Sequence, residues 1–212
     1  MTIRGKLVAA IVLTVIGPVV TIGVALAAFG TLGERSDEVQ SAGAHRARAL
    51  ELKFAVTDMN GWQTAWGYDR GRSRPRFEAS AGRTKDQLEA AGAELTVPRE
   101  RALLDRLGRA FDAFMELDAD AWEALQAGRE AETRRILLGP EIRNFEAMAS
   151  AADALADEED RRAVAAASEF DDARTTARRE LVAVGIGAGV VIVLLLITAQ
   201  DVVRLALERR AT

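Results

Sequence analysis

Among its 212 residues the chain has no cysteine, one histidine, one tyrosine and three lysines. Without thiols there is no disulfide frame, no thiol nucleophile and no thiolate metal site, so any folded part must be held by core packing. His45, flanked by Arg46 and Arg48, could in principle ligate haem, but a single histidine on a charged helix is ordinarily a solvated side chain, and no other residues have metal-site spacing. No cofactor and no metal are expected. No HExxH, phosphate loop, nucleophile elbow or base-paired serine is present, and the carboxylates are spread along helix surfaces rather than converging, which argues against an enzyme. Positive charge is also in short supply where a nucleic-acid surface would need it. Residues 30–180 carry 30 acidic and 23 basic side chains, a net of about −7.

Alternating strand patterns are missing too, and what remains is helical periodicity between two uncharged apolar runs. Residues 7–29 and 181–199 span roughly 35 and 28 Å as helices, against a hydrocarbon layer of about 30 Å. Both are read as transmembrane helices. Arg4 and Lys6 with the small-residue run Ala25-Leu26-Ala27 also suit a cleaved secretory signal, but the apolar stretch runs on through Phe29, which favours a retained anchor. Arg4 and Lys6 before the first span, and Arg204, Arg209 and Arg210 after the second, predict that both ends are cytoplasmic. Arg35, Arg174, Arg178 and Arg179 on the other flanks work against that orientation. The expected layout is a cytoplasmic N-terminus (1–6), a first span (7–29), an extracytoplasmic domain (30–180), a second span (181–199) and a short cytoplasmic tail (200–212).

The middle segment is predicted to be an all-α, up-down-up-down four-helix bundle. Helix one covers 32–68 and continues the first span. After the polar turn 69–74, with Ser73 as candidate N-cap and Pro75 in the first turn, helix two runs to about Leu95. Thr96 and Pro98 open helix three, and Gly128 closes it. Its seam reads Leu104, Leu107, Phe111, Phe114, Ala121 and Leu125, with Asp118 as a polar intruder that should either turn outward or pair, for example with an arginine of another helix. Gly139-Pro140 is expected to break a short stretch, 130–138. Beyond it Ile142, Phe145, Ala149, Ala152, Ala156, Ala163, Ala166, Phe170, Ala173 and Ala177 form a seam, interrupted by Glu159, that continues into the second span.

Three segments carry a resemblance. They are Asp58-Met59-Asn60-Gly61-Trp62-Gln63-Thr64-Ala65-Trp66-Gly67-Tyr68-Asp69, then Leu103-Leu104-Asp105-Arg106-Leu107 through Phe111-Asp112-Ala113-Phe114, and Gly139-Pro140-Glu141-Ile142 with Phe145-Glu146. With two spans around a bundle of this size, the chain resembles the sensory half of a methyl-accepting chemotaxis receptor, in the four-helix-bundle ligand-binding family. The resemblance implies a homodimeric ligand sensor in the membrane, with ligand in the distal half of the bundle or between two bundles. Such receptors continue into a HAMP relay and an output domain, whereas only residues 200–212 follow the second span here. The expectation is therefore a truncated or separately encoded sensor, or one that signals through a separate partner.

Trp62, Trp66, Arg70, Arg72, Arg74 and Arg76 gather at the distal end of helix one. Guanidinium groups bind carboxylate or phosphate bidentately while indole faces pack an apolar body, so this group is the candidate site for a small anionic ligand. Tryptophans four apart are as readily core anchors, and an arginine run in a turn is as readily solvated. Arg143 and Asn144 could reach the same region. Gly185 and Gly189, with Gly187 between them, have the GxxxG spacing that allows close helix contact in lipid. The competing reading is an envelope protein with no ligand that uses the bundle to dimerise or hold a partner protein.

Overall fold

A computed structural model describes residues 3–208. Every regular element among them is helical: α1 (Ile3–Tyr68), α2 (Arg74–Glu94), α3 (Pro98–Gln126), α4 (Glu130–Ile136), a π turn (Leu137–Glu141) and α5 (Ile142–Glu208). Of the basic residues that set the predicted orientation, Arg209 and Arg210 lie outside the described residues, as do the side chains of Arg4 and Lys6.

The chain divides into two compact units. One holds the N-terminal part of α1 and the C-terminal part of α5. Each contributes a helix long and apolar enough to cross a membrane, with almost none of its apolar stretch buried within the chain. Val19, Leu26, Ile186 and Leu196 are among the exposed apolar side chains. A Cβ added at Gly185, Gly187 or Gly189 would meet nothing within 4 Å, so the glycines have no packed partner within one chain. Arg35 Nη1 pairs with Glu169 Oε2 at 2.6 Å.

The other unit, Gln40–Ala165, contains one core to which all five helices contribute. Leu52, Met59 and Trp66 of α1, Phe77 of α2, Leu107 and Phe114 of α3, Ile136 of α4, and Met148 and Leu155 of α5 meet there. Polar ties close the edges: Arg48 to Glu94 at 3.0 Å, Ser80 Oγ donating to Asp58 at 2.6 Å, Lys53 to Asp153 at 2.9 Å and Arg46 to Asp160 at 2.8 Å.

Helix ends follow local chemistry. α1 stops where Arg70 and Gly71 both take positive φ (56° and 89°) and the Gly71 N–H returns to the Trp66 carbonyl at 2.8 Å. Gly71 has no alternative, because a Cβ there would sit 2.5 Å from the Trp122 ring. Ser73 stands at the N-cap of α2, yet its hydroxyl donates to Asp69 at 2.6 Å instead of capping the helix. α3 begins with Pro98 in its first turn, and the Glu100 carboxylate accepts the Val97 N–H at 3.0 Å. At its far end Gly128 turns left-handed, φ 74°, and the Arg129 N–H reaches the Ala124 carbonyl.

Two expectations need correction. Gly139-Pro140 does not break the helix. Proline has no N–H to give to a carbonyl four residues back, and its ring crowds that carbonyl, so the chain widens into a π turn and carries on. The predicted α5 seam fails only at its start, where Glu141 and Met148 are buried whereas Ile142 is 43% exposed and Ala149 half-buried; further on, the predicted Ala152, Ala156, Ala166 and Ala177 are buried, together with Leu155 and Glu159. On α3 the seam holds through Ala121, but its last buried position is Ala124, with Leu125 half-buried.

Candidate functional site

Asp118 organises the distal core. It is fully buried, and pairing with an arginine of another helix is what the structure shows. Arg74 Nη1 donates to Asp118 Oδ2 at 2.6 Å, and Trp66 Nε1 donates to Oδ1 at 3.2 Å. The Arg74 guanidinium lies 5.0 to 5.2 Å from the ring centroids of Trp66, Phe77 and Trp122, while its Nε contacts Glu78 at 3.0 Å. Trp66 and Trp122 pack edge to face, 5.6 Å apart. Burial raises the Asp118 carboxyl to about 6, against the pull of Arg74 and Trp66.

Next to this knot lies a cleft of about 470 Å3, walled by α1, α3, α4, the π turn and the start of α5. Such a volume falls within the range of small-molecule sites. Phe114, Leu125, Leu137, Leu138, Ile142 and Phe145 give it an apolar body; Asn60, Gln63, Thr64 and Thr133 add hydrogen-bonding groups. Tyr68, Arg70, Glu130 and Arg134 also line it. Gly67 opens the α1 wall, since a Cβ there would approach Leu137 Cδ1 to 2.8 Å.

Glu141 is delivered to this cleft by the π turn. It is 1% exposed, and neither carboxyl oxygen has a hydrogen-bond partner. Gln63, 5% exposed, stands close enough to favour the ionised form, yet its Nε2 closes no hydrogen bond. Burial first, and the Asp118 charge second, push the Glu141 carboxyl up to about 8. Buried polar groups are nearly always satisfied in folded proteins, so this unpartnered carboxyl and amide, on residues that line a cleft, are the chemistry that sets the cleft apart.

The residues predicted as a ligand site do not gather into one. Trp66 and Arg74 belong to the Asp118 knot inside the core. Arg76 stacks over Trp62, 4.8 Å from the ring centroid, on the outside of the same helices. Arg72 is exposed, and so is Arg143, while Asn144 is half-buried. Arg70 alone lines the cleft, where it meets Glu130 at 3.4 Å. Glu141, Gln63 and Trp122 were not singled out by sequence. The available signal was the heptad step from Glu141 to Met148 and Leu155, a charge in phase with apolar residues directly after a proline.

No protein-family model, curated protein or solved structure matches the chain.

Proposed function

We propose that the chain is a two-pass membrane sensor whose extracytoplasmic domain is an up-down-up-down helical bundle binding a small molecule in the cleft beside Glu141. Ligand occupancy favours one of two packings of the bundle, and α5 passes the change to the second span, with a homodimer as the working unit. The antiparallel order draws support from the ties between helices: contacts run from Arg48 to Glu94 and from Asp58 to Ser80, and from Arg46 to Asp160 and from Lys53 to Asp153, so rising numbers on α1 meet falling numbers on α2 and on α5. The two apolar helices support the membrane anchorage. The observation that carries the reading is the open pair Glu141 and Gln63 in a cleft of ligand size. The resemblance to chemoreceptor sensory halves points the same way.

The test is a thermal-stability screen of the full chain in lipid nanodiscs against amino acids, organic acids, amines and neutral metabolites. A ligand at one hundred times its Kd should stabilise the folded state by about 2.7 kcal/mol. A hit lost in a variant with Gly67→Leu, which fills the cleft, places the ligand there. A panel with no hit, or a hit indifferent to Gly67→Leu, returns the chain to the reading of an envelope interaction protein or moves its site.

A further inference from the structure

The polar groups beside the cleft are not all matched. Arg74 is the one cation at the buried knot, and it answers to Asp118 at 2.6 Å, to Glu78 at 3.0 Å and, more distantly, to Glu141. Glu78 is solvent-exposed, so inside the fold the guanidinium faces Asp118 and Glu141, and Glu141, which lines the cleft, receives no hydrogen bond at all. At the cleft lining, Arg70 is engaged by Glu130, while Arg134 stands exposed on α4. The Gln63 Nε2 beside Glu141 is a donor in search of an acceptor. The cleft is also lined by the apolar side chains of Phe114, Leu137 and Phe145.

We infer that the cleft takes a small organic amine with an apolar body, its ammonium group bonded to Glu141 and its hydrocarbon part packed on Phe114, Leu137 and Phe145. This rests on the cleft being the ligand site. An ammonium supplies what the Glu141 oxygens themselves lack, N–H donors and a directly bonded positive charge, and it holds the Glu141 carboxylate where the second oxygen can accept the Gln63 N–H. A carboxylate ligand supplies neither. A neutral alcohol supplies one donor without the charge.

Titration sharpens the expectation. The charged or titratable groups around Glu141 are Asp118 on α3 and Arg74 on α2, with Tyr68 and Arg70 of α1 and Glu130 and Arg134 of α4 also lining the cleft. Burial holds the empty Glu141 protonated at neutral pH, so the amine displaces a proton when it binds. Its affinity should rise with increasing pH, by up to about tenfold per unit, until about pH 8, and calorimetry in buffers of different ionisation enthalpy should record close to one proton released.

The experiment is isothermal titration of the full chain in nanodiscs with 2-phenylethylamine and 3-methylbutylamine, and with the acids of matching shape, phenylacetate and 3-methylbutanoate. At least one amine should bind, at least about tenfold more tightly than its matching acid, and Glu141→Gln should weaken it by about tenfold or more, as loss of a charge-assisted bond requires. Circular dichroism of Glu141→Gln should remain helical, because the substitution keeps shape and removes only a buried ionisable group. Equal or tighter binding of an acid, or full amine affinity in Glu141→Gln, overturns the amine while leaving the cleft a ligand site. Binding of neither amine also overturns it, and whether the cleft binds anything then rests on the wider panel and Gly67→Leu.

Discussion

At the scale of single residues the molecule is governed by acids kept out of water. Asp118 stays paired, with Arg74 wedged among three aromatic rings to reach it. Removing one member of a buried pair leaves the other charge uncompensated, so Asp118→Ala should cost about 3 to 5 kcal/mol in chemical denaturation. The double variant Arg74→Met with Asp118→Asn removes both charges and keeps an acceptor for Trp66 Nε1; it should lose less than about 2 kcal/mol. A double variant as unstable as Asp118→Ala would show that the cost lies in packing and not in charge. Glu141 sets a second expectation. Its ordinary value is 4.5 and the folded protein holds it at about 8, so the folded state binds the proton more tightly than the unfolded chain does. Stability is then greatest below about pH 4.5 as far as this group is concerned, and is lost as pH rises through 8, by about 1.4 kcal/mol per pH unit within the window. Asp118 adds a like trend that ends near pH 6. Urea denaturation between pH 6 and 8 should therefore show falling stability in the parent and a nearly flat profile in Glu141→Gln. The same slope in both proteins would refute the assignment to Glu141.

At the scale of elements, the helix ends were legible and the wide turn was not. Gly71, Pro75, Pro98 and Gly128 act within a few residues of themselves, through allowed φ or a missing N–H, so the sequence located the ends of α1, α2 and α3 to within about two residues. Pro140 is different. A proline within a helical pattern can end the helix or widen one turn of it, and packing of the flanking segments on a common core decides which. Reading it as a break puts Ile142 on the buried seam and gives Glu141 no place in the core or the candidate site. The same limit explains the candidate site: Asp118 was visible as a polar intruder, but that its arginine would be Arg74, and that Trp66 and Trp122 would enclose the pair, depends on contacts between distant parts of the chain. The two left-handed glycines allow a test of how these turns differ. Gly128→Ala meets only the conformational penalty, about 1 to 2 kcal/mol, since nothing lies near its added Cβ. Gly71→Ala adds a collision with the Trp122 ring, and overpacking of that kind costs a further 1 to 3 kcal/mol or so. Denaturation midpoints should rank Gly71→Ala clearly below Gly128→Ala, and the reverse order would mean that the Trp122 ring moves aside freely.

At the scale of the whole molecule, the question is which solvent each part meets. The apolar helices of α1 and α5 expose Val19, Leu26, Ile186 and Leu196 with no protein surface to cover them within the chain, and exposed apolar area of that extent is stable in lipid and a liability in water. Residues 40–165, in contrast, close a core and ring it with ion pairs such as Lys53 with Asp153 and Arg83 with Asp58, which is how a surface in water looks. The sidedness we propose rests on the basic flanks, where the Arg and Lys near both chain ends favour the cytoplasm and the arginines from Arg174 to Arg179 oppose it. The opposing group flanks a domain of well over a hundred residues, and segments of that length are translocated largely regardless of their charge, so the short terminal flanks should prevail. A reporter inserted at Gly128, in the turn between α3 and α4, should be active only outside the cytoplasm, and one fused after Thr212 only inside. Inversion of both signals would place the cleft in the cytoplasm and make its ligand an intracellular one. Two reporters on the same side would mean that the second apolar helix, the one lying between them, does not cross, and a mature N-terminus beginning near Ala28 would show separately that the first is a cleaved signal.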